Sequence, residues 1–252
     1  MIIKWECLEE MDKLIEQGIK LDAIITDPPY WTTACKWDSI IPFEAMWERL
    51  NKLIKPNWAI VLFWSEPFSS ALRMSNIKNY KYDWIWEKDK PTNFAQANRQ
   101  PMRYTELIHL FYKKQPTFNK ILEEREGSGK KRYNYIVDNS KRVSDHNKII
   151  DKPKFYNKDF KNPKNIQKFS TWRRQNLQHP TQKPVALMEY LIKTYTNEWE
   201  LVLDFTAWSF STIIWCINTN RKWIWIEKDE KYCEIGRKRI EEVNNNKWLF
   251  KN

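Results

Sequence analysis

The chain has 252 residues, 42% of them hydrophobic, and a formal net charge of +11. That length suits one α/β domain with an insertion, or two small domains, with enough apolar content to bury a core. No apolar run approaches the ~18 residues of a membrane span, and the N-terminal MIIKWECLEEMDKL lacks the layout of a signal peptide.

In chain order, LDAIITDPPY (21–30) is an apolar run closed by a Pro-Pro turn, which reads as a buried parallel strand carrying a loop at its C-terminal end. FEAMWERLNKLIK (43–55) has helical periodicity, with Phe43, Met46, Trp47, Leu50, Leu53 and Ile54 on one face and Pro56 as a stop. AIVLFW (59–64) is a second buried strand, SSALRMSNIK (69–78) a helix, and YDWIWEK (82–88) and ELIHLFYKK (106–114) further strands. Between about 115 and 178 no sustained period survives, which marks an inserted segment. Order resumes at HPTQKPVALMEYLIKTYT (179–196), a helix with Pro184 near its first turn. LVLDFTA (201–207) is a strand and turn, SFSTIIWCINTN (209–220) a helix, KWIWIEKD (222–229) a strand ending in acid, and KYCEIGRKRIEEV (231–243) a helix. Alternation of strands and helices on both sides of the insertion predicts an α/β fold with a doubly wound, mostly parallel sheet.

The charge is concentrated. Residues 113–174 hold 18 Lys or Arg against 7 Asp or Glu, so the remainder is neutral overall. A neutral body with one basic segment points to a polyanion partner, most simply nucleic acid, although a solvated loop would have the same composition. The thiols of Cys7, Cys35, Cys216 and Cys233 form no CxxC pair and no zinc spacing. They read as reduced cysteines of a cytoplasmic protein without a metal centre.

Two stretches carry chemistry. In LVLDFTAWSFST a strand ends in Asp204 and turns into a helix, the layout of a nucleotide-type cofactor cradle. About 20 residues on, Glu227 at the tip of the next strand can accept hydrogen bonds from ribose hydroxyls. In TDPPY the prolines fix the backbone, so the Asp27 carboxylate and the Pro28 carbonyl can face one pocket beside the flat ring of Tyr30. Two acceptors and an aromatic plane suit a planar ring with an exocyclic amino group. His109, in an apolar strand far from any triad-like partner, reads as packed, and Glu87 and Lys88 as the surface end of a strand.

These stretches resemble the DNA amino-methyltransferases that use S-adenosylmethionine, in particular the N6-adenine enzymes of the β-type motif order. The matching segments are TDPPY (26–30), SEPFSSALR (65–73), YDWIWEK (82–88), HPTQKPVALMEYLI (179–192), LVLDFTA (201–207) and NTNRKWIWIEKDEKYCEIGRKRI (218–240). The resemblance implies a Rossmann-like methyltransferase domain from 1–112 and 179–252 and a target-recognition region at 113–178. It implies a flipped adenine held by Asp27, Pro28, Pro29 and Tyr30. Asp204, Phe205, Thr206, Ala207 and Trp208 would line the cofactor pocket, Glu227 would hold the ribose, and Thr181, Gln182 and Lys183 would close over the methionine end. Lys130, Lys131, Arg132, Arg173 and Arg174 are the expected DNA contacts. The expected partner is double-stranded DNA, with a cognate restriction endonuclease as a further candidate, no membrane, and a monomer or homodimer. A cytosine-N4 enzyme of the same fold and a catalytically impaired DNA-binding relative are the rivals. Asp27 favours adenine over cytosine, because N4 enzymes of this type tend to carry Ser there.

Composition holds one anomaly: 4 Gly and 15 Trp, where average usage predicts roughly 18 Gly. Trp stands where the family favours Gly at 31, 58, 64, 199, 208 and 225, with Trp5 and Trp215 candidates for the same set. Trp37, Trp47, Trp84, Trp86 and Trp223 sit where an aromatic is expected. The pattern is that of UGA codons which encode Gly but are written as Trp. Phe210, at another Gly position, is not explained this way.

Overall fold

The computed structural model describes residues 2–4, 6–29, 41–125, 159–170, 183–207 and 211–249. The strands are β1 (Ile2–Lys4), β2 (Leu21–Thr26), β3 (Ile54–Trp64), β4 (Tyr80–Thr92), β5 (Arg103–Phe111), β6 (Glu123–Glu124), β7 (Phe160–Lys161), β8 (Ile166–Lys168), β9 (Leu201–Asp204) and β10 (Lys222–Glu227). The helices are α1 (Cys7–Glu16), α2 (Phe43–Leu53), α3 (Phe68–Ser75), α4 (Val185–Tyr195), α5 (Ser211–Asn218) and α6 (Glu230–Leu249). Residues 1–119 with 165–252 form one compact unit and residues 120–164 another. The second unit contains the short antiparallel pair β6–β7.

The first unit is built on an eight-stranded sheet of order β1-β10-β9-β2-β3-β5-β4-β8. Neighbours are parallel from β1 through β3, β5 runs antiparallel to both β3 and β4, and β8 is parallel to β4. Strand β8 lies within the stretch expected as insertion, yet extends this sheet. All six residues of β2 are buried, Asp22 and Thr26 included, as a strand flanked by helices on both faces requires. On one face Ile24 packs with Met11 and Leu14 of α1, Met46 and Leu50 of α2 and Leu72 of α3. On the other, Ala23 and Ile25 pack with Leu187, Met188, Leu191 and Ile192 of α4 and Trp215 of α5. The sheet is thus doubly wound.

Local chemistry sets the element ends. Helix α2 stops at Leu53, two residues short of expectation, because Ile54 is already extended at ψ 138° and Lys55 precedes a proline, which disfavours helical backbone. Strand β3 therefore starts at Ile54, not at 59. Pro184 caps α4 at φ −60°, an angle its ring imposes. Helix α1 and strand β1 were not anticipated. Cys7, Met11, Leu14 and Ile15 do follow helical spacing, but Glu9 and Glu10 break up the apolar face in the sequence. Among the described residues no helix is long and apolar enough to cross a membrane.

The tryptophans behave differently by group. Three of those expected as aromatics donate their indole N–H: Trp47 to Ser75 Oγ (2.8 Å), Trp84 to Tyr195 Oη (2.5 Å) and Trp86 to the Phe169 carbonyl (2.9 Å). Of the suspected glycine positions, Trp64 and Trp225 are fully buried, against Phe43 and Trp223 respectively. Trp215 is also buried, and among the described residues its Nε1 has no hydrogen-bond partner. Trp199 is 67% exposed and has φ +68°, the backbone conformation that Gly18 adopts at φ +69° after α1. The other non-glycine residues at positive φ among those described are Asn93 and Asn220, and Asn tolerates this region far better than a bulky side chain.

Candidate active site

Chain order reverses between β9 and β2. From β2 the sheet grows through β3, and from β9 it grows the other way through β10. The crevice outside the carboxyl ends of such strands is where open α/β sheets bind ligands. Asp27 follows β2 and Asp204 ends β9, so both sequence-derived stretches converge at this switch point. Thr26 Oγ1 donates to Asp204 Oδ1 (2.6 Å) and pairs with Thr206 Oγ1 (2.7 Å). With its one proton committed to Asp204, Thr26 must accept from Thr206. The Thr206 N–H also reaches Asp204 Oδ1 (3.2 Å). At the other end of the same seam, Asp22 Oδ2 accepts from the Leu201 N–H (2.9 Å) while Oδ1 pairs with Lys55 (2.5 Å).

Asp27 is partly buried, and Pro28 and Pro29 are buried. The Lys183 ammonium lies 2.9 Å from Asp27 Oδ2 and 2.5 Å from Glu106 Oε1. The second oxygen of Glu106 is 2.8 Å from Lys88 Nζ. The result is an alternating row of charges, Asp27–Lys183–Glu106–Lys88, whose last three side chains are all under 10% exposed. Aromatic faces floor it: Lys183 Nζ sits 5.1 Å from the Phe63 ring and Lys88 Nζ 5.0 Å from the Trp86 ring, a favourable placement for a desolvated cation. Burial pushes the Asp27 carboxyl up to about 6, Lys183 opposes this, and Glu106 and Asp204 add to it. Burial acts on Glu106 too, but Lys183 and Lys88 together hold it below the usual glutamate value. The resemblance puts Lys183 beside the cofactor; its contacts here are with the two carboxylates.

On the other side of the switch point, Phe205 and Ala207 are buried and Thr206 is half-buried. The Ala207 N–H donates to the Ile226 carbonyl (3.1 Å), drawing the turn after β9 against β10. Glu227 ends β10, and its Oε1 accepts from the Asp229 N–H (2.9 Å). Burial raises its carboxyl to about 7, partly offset by the Asp229 N–H and reinforced by Asp204. A carboxylate has room for several donors, so Glu227 can still accept from a diol. The turn after Asp204, with an acid at the tip of the neighbouring strand, fits an adenosine-type ligand. Tyr30, Trp208, Thr181, Gln182, Arg173, Arg174, Lys130, Lys131 and Arg132 lie outside the described residues, as do Trp5, Trp31 and Trp37.

Glu106 and Lys88 were missed as site residues, and the reading of Lys88 as a surface strand end is overturned: it is 8% exposed. A signal was present. Side chains alternate along a strand, and Lys88 is in phase with buried Trp84 and Trp86, as Glu106 is with buried Ile108 and Leu110. Opposite charges in phase with core positions on two strands announce a buried pair.

His109 is not isolated either. Its Nδ1 lies 2.5 Å from Asp83 Oδ1 and its Nε2 2.9 Å from Ser69 Oγ, and Arg73 bridges Asp83 and Glu66. Ser69 and His109 are both 0% exposed, so no acyl substrate can reach the hydroxyl. The cluster pins α3 to β4 and β5.

Comparison with known proteins follows the same lines. The family N6_N4_Mtase, described as DNA methylase, matches residues 21–238. The chain is similar to the DNA adenine methyltransferase YhdJ of Escherichia coli, 28% identical with 95% of this chain and 82% of that protein covered. It is also similar to the type II methyltransferase M2.DpnII of Streptococcus pneumoniae, 27% identical with 89% and 84% covered. Among solved structures, the M1.HpyAVI–SAM complex superposes with a TM-score of 0.66 at 26% identity, covering 95% of this chain and 98% of that one.

Proposed function

Since the chain belongs to the N6/N4 DNA methylase family, we propose that it transfers a methyl group from S-adenosylmethionine to the N6 amino group of an adenine in a specific DNA sequence. The observation that carries this reading is the convergence at the switch point. Asp27 follows one strand, the Asp204 turn follows its neighbour, and Thr26 ties the two by hydrogen bonds.

The target base is swung out of the duplex, because its amino group is inaccessible in the stack. Tyr30 stacks on it. Asp27 and the Pro28 carbonyl accept hydrogen bonds from the amino hydrogens, which localises the lone pair on the nitrogen and makes it a better nucleophile. The bound cofactor supplies an electrophilic methyl on a sulfonium, held by the 204–207 turn and by Glu227. Formation of the N–C bond would be matched by cleavage of the methyl–sulfur bond, its electron pair leaving with the thioether product, and the amino nitrogen would carry positive charge until it lost a proton to solvent. The Asp27 carboxylate, fixed in place before reaction, stabilises that charge. Holding the two reactants in line supplies much of the remaining acceleration. The basic segment 113–178, with Lys130, Lys131, Arg132, Arg173 and Arg174, binds the phosphates and reads the site, and the protein works in the cytoplasm on double-stranded DNA.

The test is methyl transfer from labelled cofactor to DNA by the form with Gly at positions 31 and 208, followed by mass analysis of the nucleosides. N6-methyladenine is expected. N4-methylcytosine would replace the adenine reading by its closest rival, and no transfer would leave a DNA-binding relative. Asp27→Ala is expected to lower kcat by about a hundredfold or more while cofactor binding persists.

A further inference from the structure

The row Asp27–Lys183–Glu106–Lys88 does more than satisfy buried charges. We propose that Glu106 is a positioning residue for methyl transfer: acting through Lys183, it divides one ammonium between two carboxylates and so sets how much negative charge Asp27 presents to the target amino group. The proposal rests on the transfer reading above.

The geometry is specific. Lys183 is the group shared between Asp27 (2.9 Å) and Glu106 (2.5 Å), and Lys88 neutralises the far oxygen of Glu106 at 2.8 Å. The four groups come from four places: the loop after β2, the segment before α4, β5 and β4. The row is therefore a tie across the sheet, not a local helix pair. A lysine committed to Asp27 alone would form a closed ion pair and weaken the carboxylate as an acceptor. Without any cation, Asp27 and Glu106 would be two buried carboxylates near one another, and one would take up a proton. Sharing Lys183 holds Asp27 between these limits. Among the described residues, the charged groups that bear most on Asp27 are Lys183, Glu106 and, from β9, Asp204, with Lys88 acting through Glu106. Their balance leaves the Asp27 carboxyl at about 6, so near neutral pH it is ionised yet remains a strong acceptor.

Removing charge from the two distal members should move Asp27 in opposite directions, which a purely structural role would not do. Glu106→Gln frees Lys183 to pair with Asp27 and should lower the pH at which Asp27 titrates. Lys88→Met draws Lys183 toward Glu106 and should raise it. Shifts of roughly one pH unit are expected for each. Glu106→Asp keeps the charge and should stay near the parent.

The readouts are the Asp27 carboxyl signal by 13C NMR and the acid limb of the kcat profile in methyl transfer to DNA. Opposite shifts in both, with Glu106→Asp restoring the parent profile, support the proposal. Shifts of the same sign, or none in a folded variant, overturn it. If either Glu106 variant fails to fold, Lys88→Met decides alone, and an unchanged or lowered Asp27 titration there overturns the proposal. If the parent, tested with Gly at positions 31 and 208, transfers no methyl group, the transfer reading falls and takes the positioning role with it. The NMR shifts then separate that failure from a failure of the charge relation itself.

Discussion

Thr26 Oγ1 donates to Asp204 Oδ1 across 2.6 Å, so the last residues of β2 and β9, 178 positions apart in the chain, are held by one buried hydrogen bond. Thr26 is 0% and Asp204 4% exposed. Hydrogen bonds to a charged group contribute more than neutral ones, and a buried acceptor stripped of its donor is left unsatisfied. Thr26→Val, close in shape, is expected to destabilise the protein by about 2 kcal/mol in urea unfolding. Calorimetry should also show weaker cofactor binding, because Thr206 loses its anchor. Unchanged values for both would show that the bond does not hold the crevice.

Glu227 supplies a pH-dependent term. Its carboxyl is raised from 4.5 to about 7 in the folded chain, so the folded state binds the proton more tightly than the unfolded one. The associated stability is fully present below about pH 4.5 and is lost as pH climbs through about 7. Glu227→Gln removes the loss. The variant is expected to be more stable than the parent at pH 8 by on the order of 2 kcal/mol, with the gap closing toward pH 4. Urea midpoints across that range check this. The same substitution should weaken cofactor binding, since a neutral amide is a poorer acceptor for ribose hydroxyls.

Trp199 tests the glycine hypothesis where the backbone itself speaks. At φ +68° and 67% exposure the indole is strained and contributes little packing. The connection from α4 to β9 imposes the angle: the Trp199 N–H donates to the Asn220 carbonyl (2.7 Å), and Asn197 N–H to Glu200 Oε2 (2.6 Å). Trp199→Gly is expected to stabilise the protein by about 1 kcal/mol, whereas Trp47→Gly, in the core, should cost more than about 3 kcal/mol. We propose that positions 31, 58, 64, 199, 208 and 225 are glycines specified by UGA. Their codons should be UGA, beside UGG at 37 and 84, and UGG throughout would end the idea.

The same hypothesis bears on the cofactor. Glycine is needed where backbone must approach a ligand closely, and Trp208 follows Ala207 directly in the turn after β9. Calorimetry with S-adenosylmethionine should show weak binding to the chain with Trp31 and Trp208 and tight binding once both are Gly. Equal, tight binding by the two forms would refute the steric argument.

Much of the frame was legible because burial on both faces leaves an unmistakable mark. LDAIIT, apolar but for Asp22 and Thr26, and AIVLFW are the strand-like runs, and Asp27 after the first of them locates the active edge. What escaped depends on register. The alternation in YDWIWEK and ELIHLF marks Lys88 and Glu106 as inward-facing, but strand pairing alone decides how they are aligned and that Lys183, some eighty residues later, joins them. Helix α1 escaped for a different reason. Glu10 is 7% exposed on a helix that also buries Met11 and Leu14, paired to Lys13 at 2.5 Å, so a charged residue occupies part of an otherwise apolar face.

The β2–β9 seam has a further consequence. Asp27 and Asp204 reach the crevice on separate arms of the chain, and the arms meet through strand pairing, through Asp22 at one end and through Thr26 at the other. Neither arm holds a whole centre. A gene cut within the 120–164 segment would yield two polypeptides, each inert, whose activity would return only on reassociation and would rise with their concentration. The peptide bond joining the arms is thus dispensable in principle, and the same sheet could be assembled from its two pieces in either chain order.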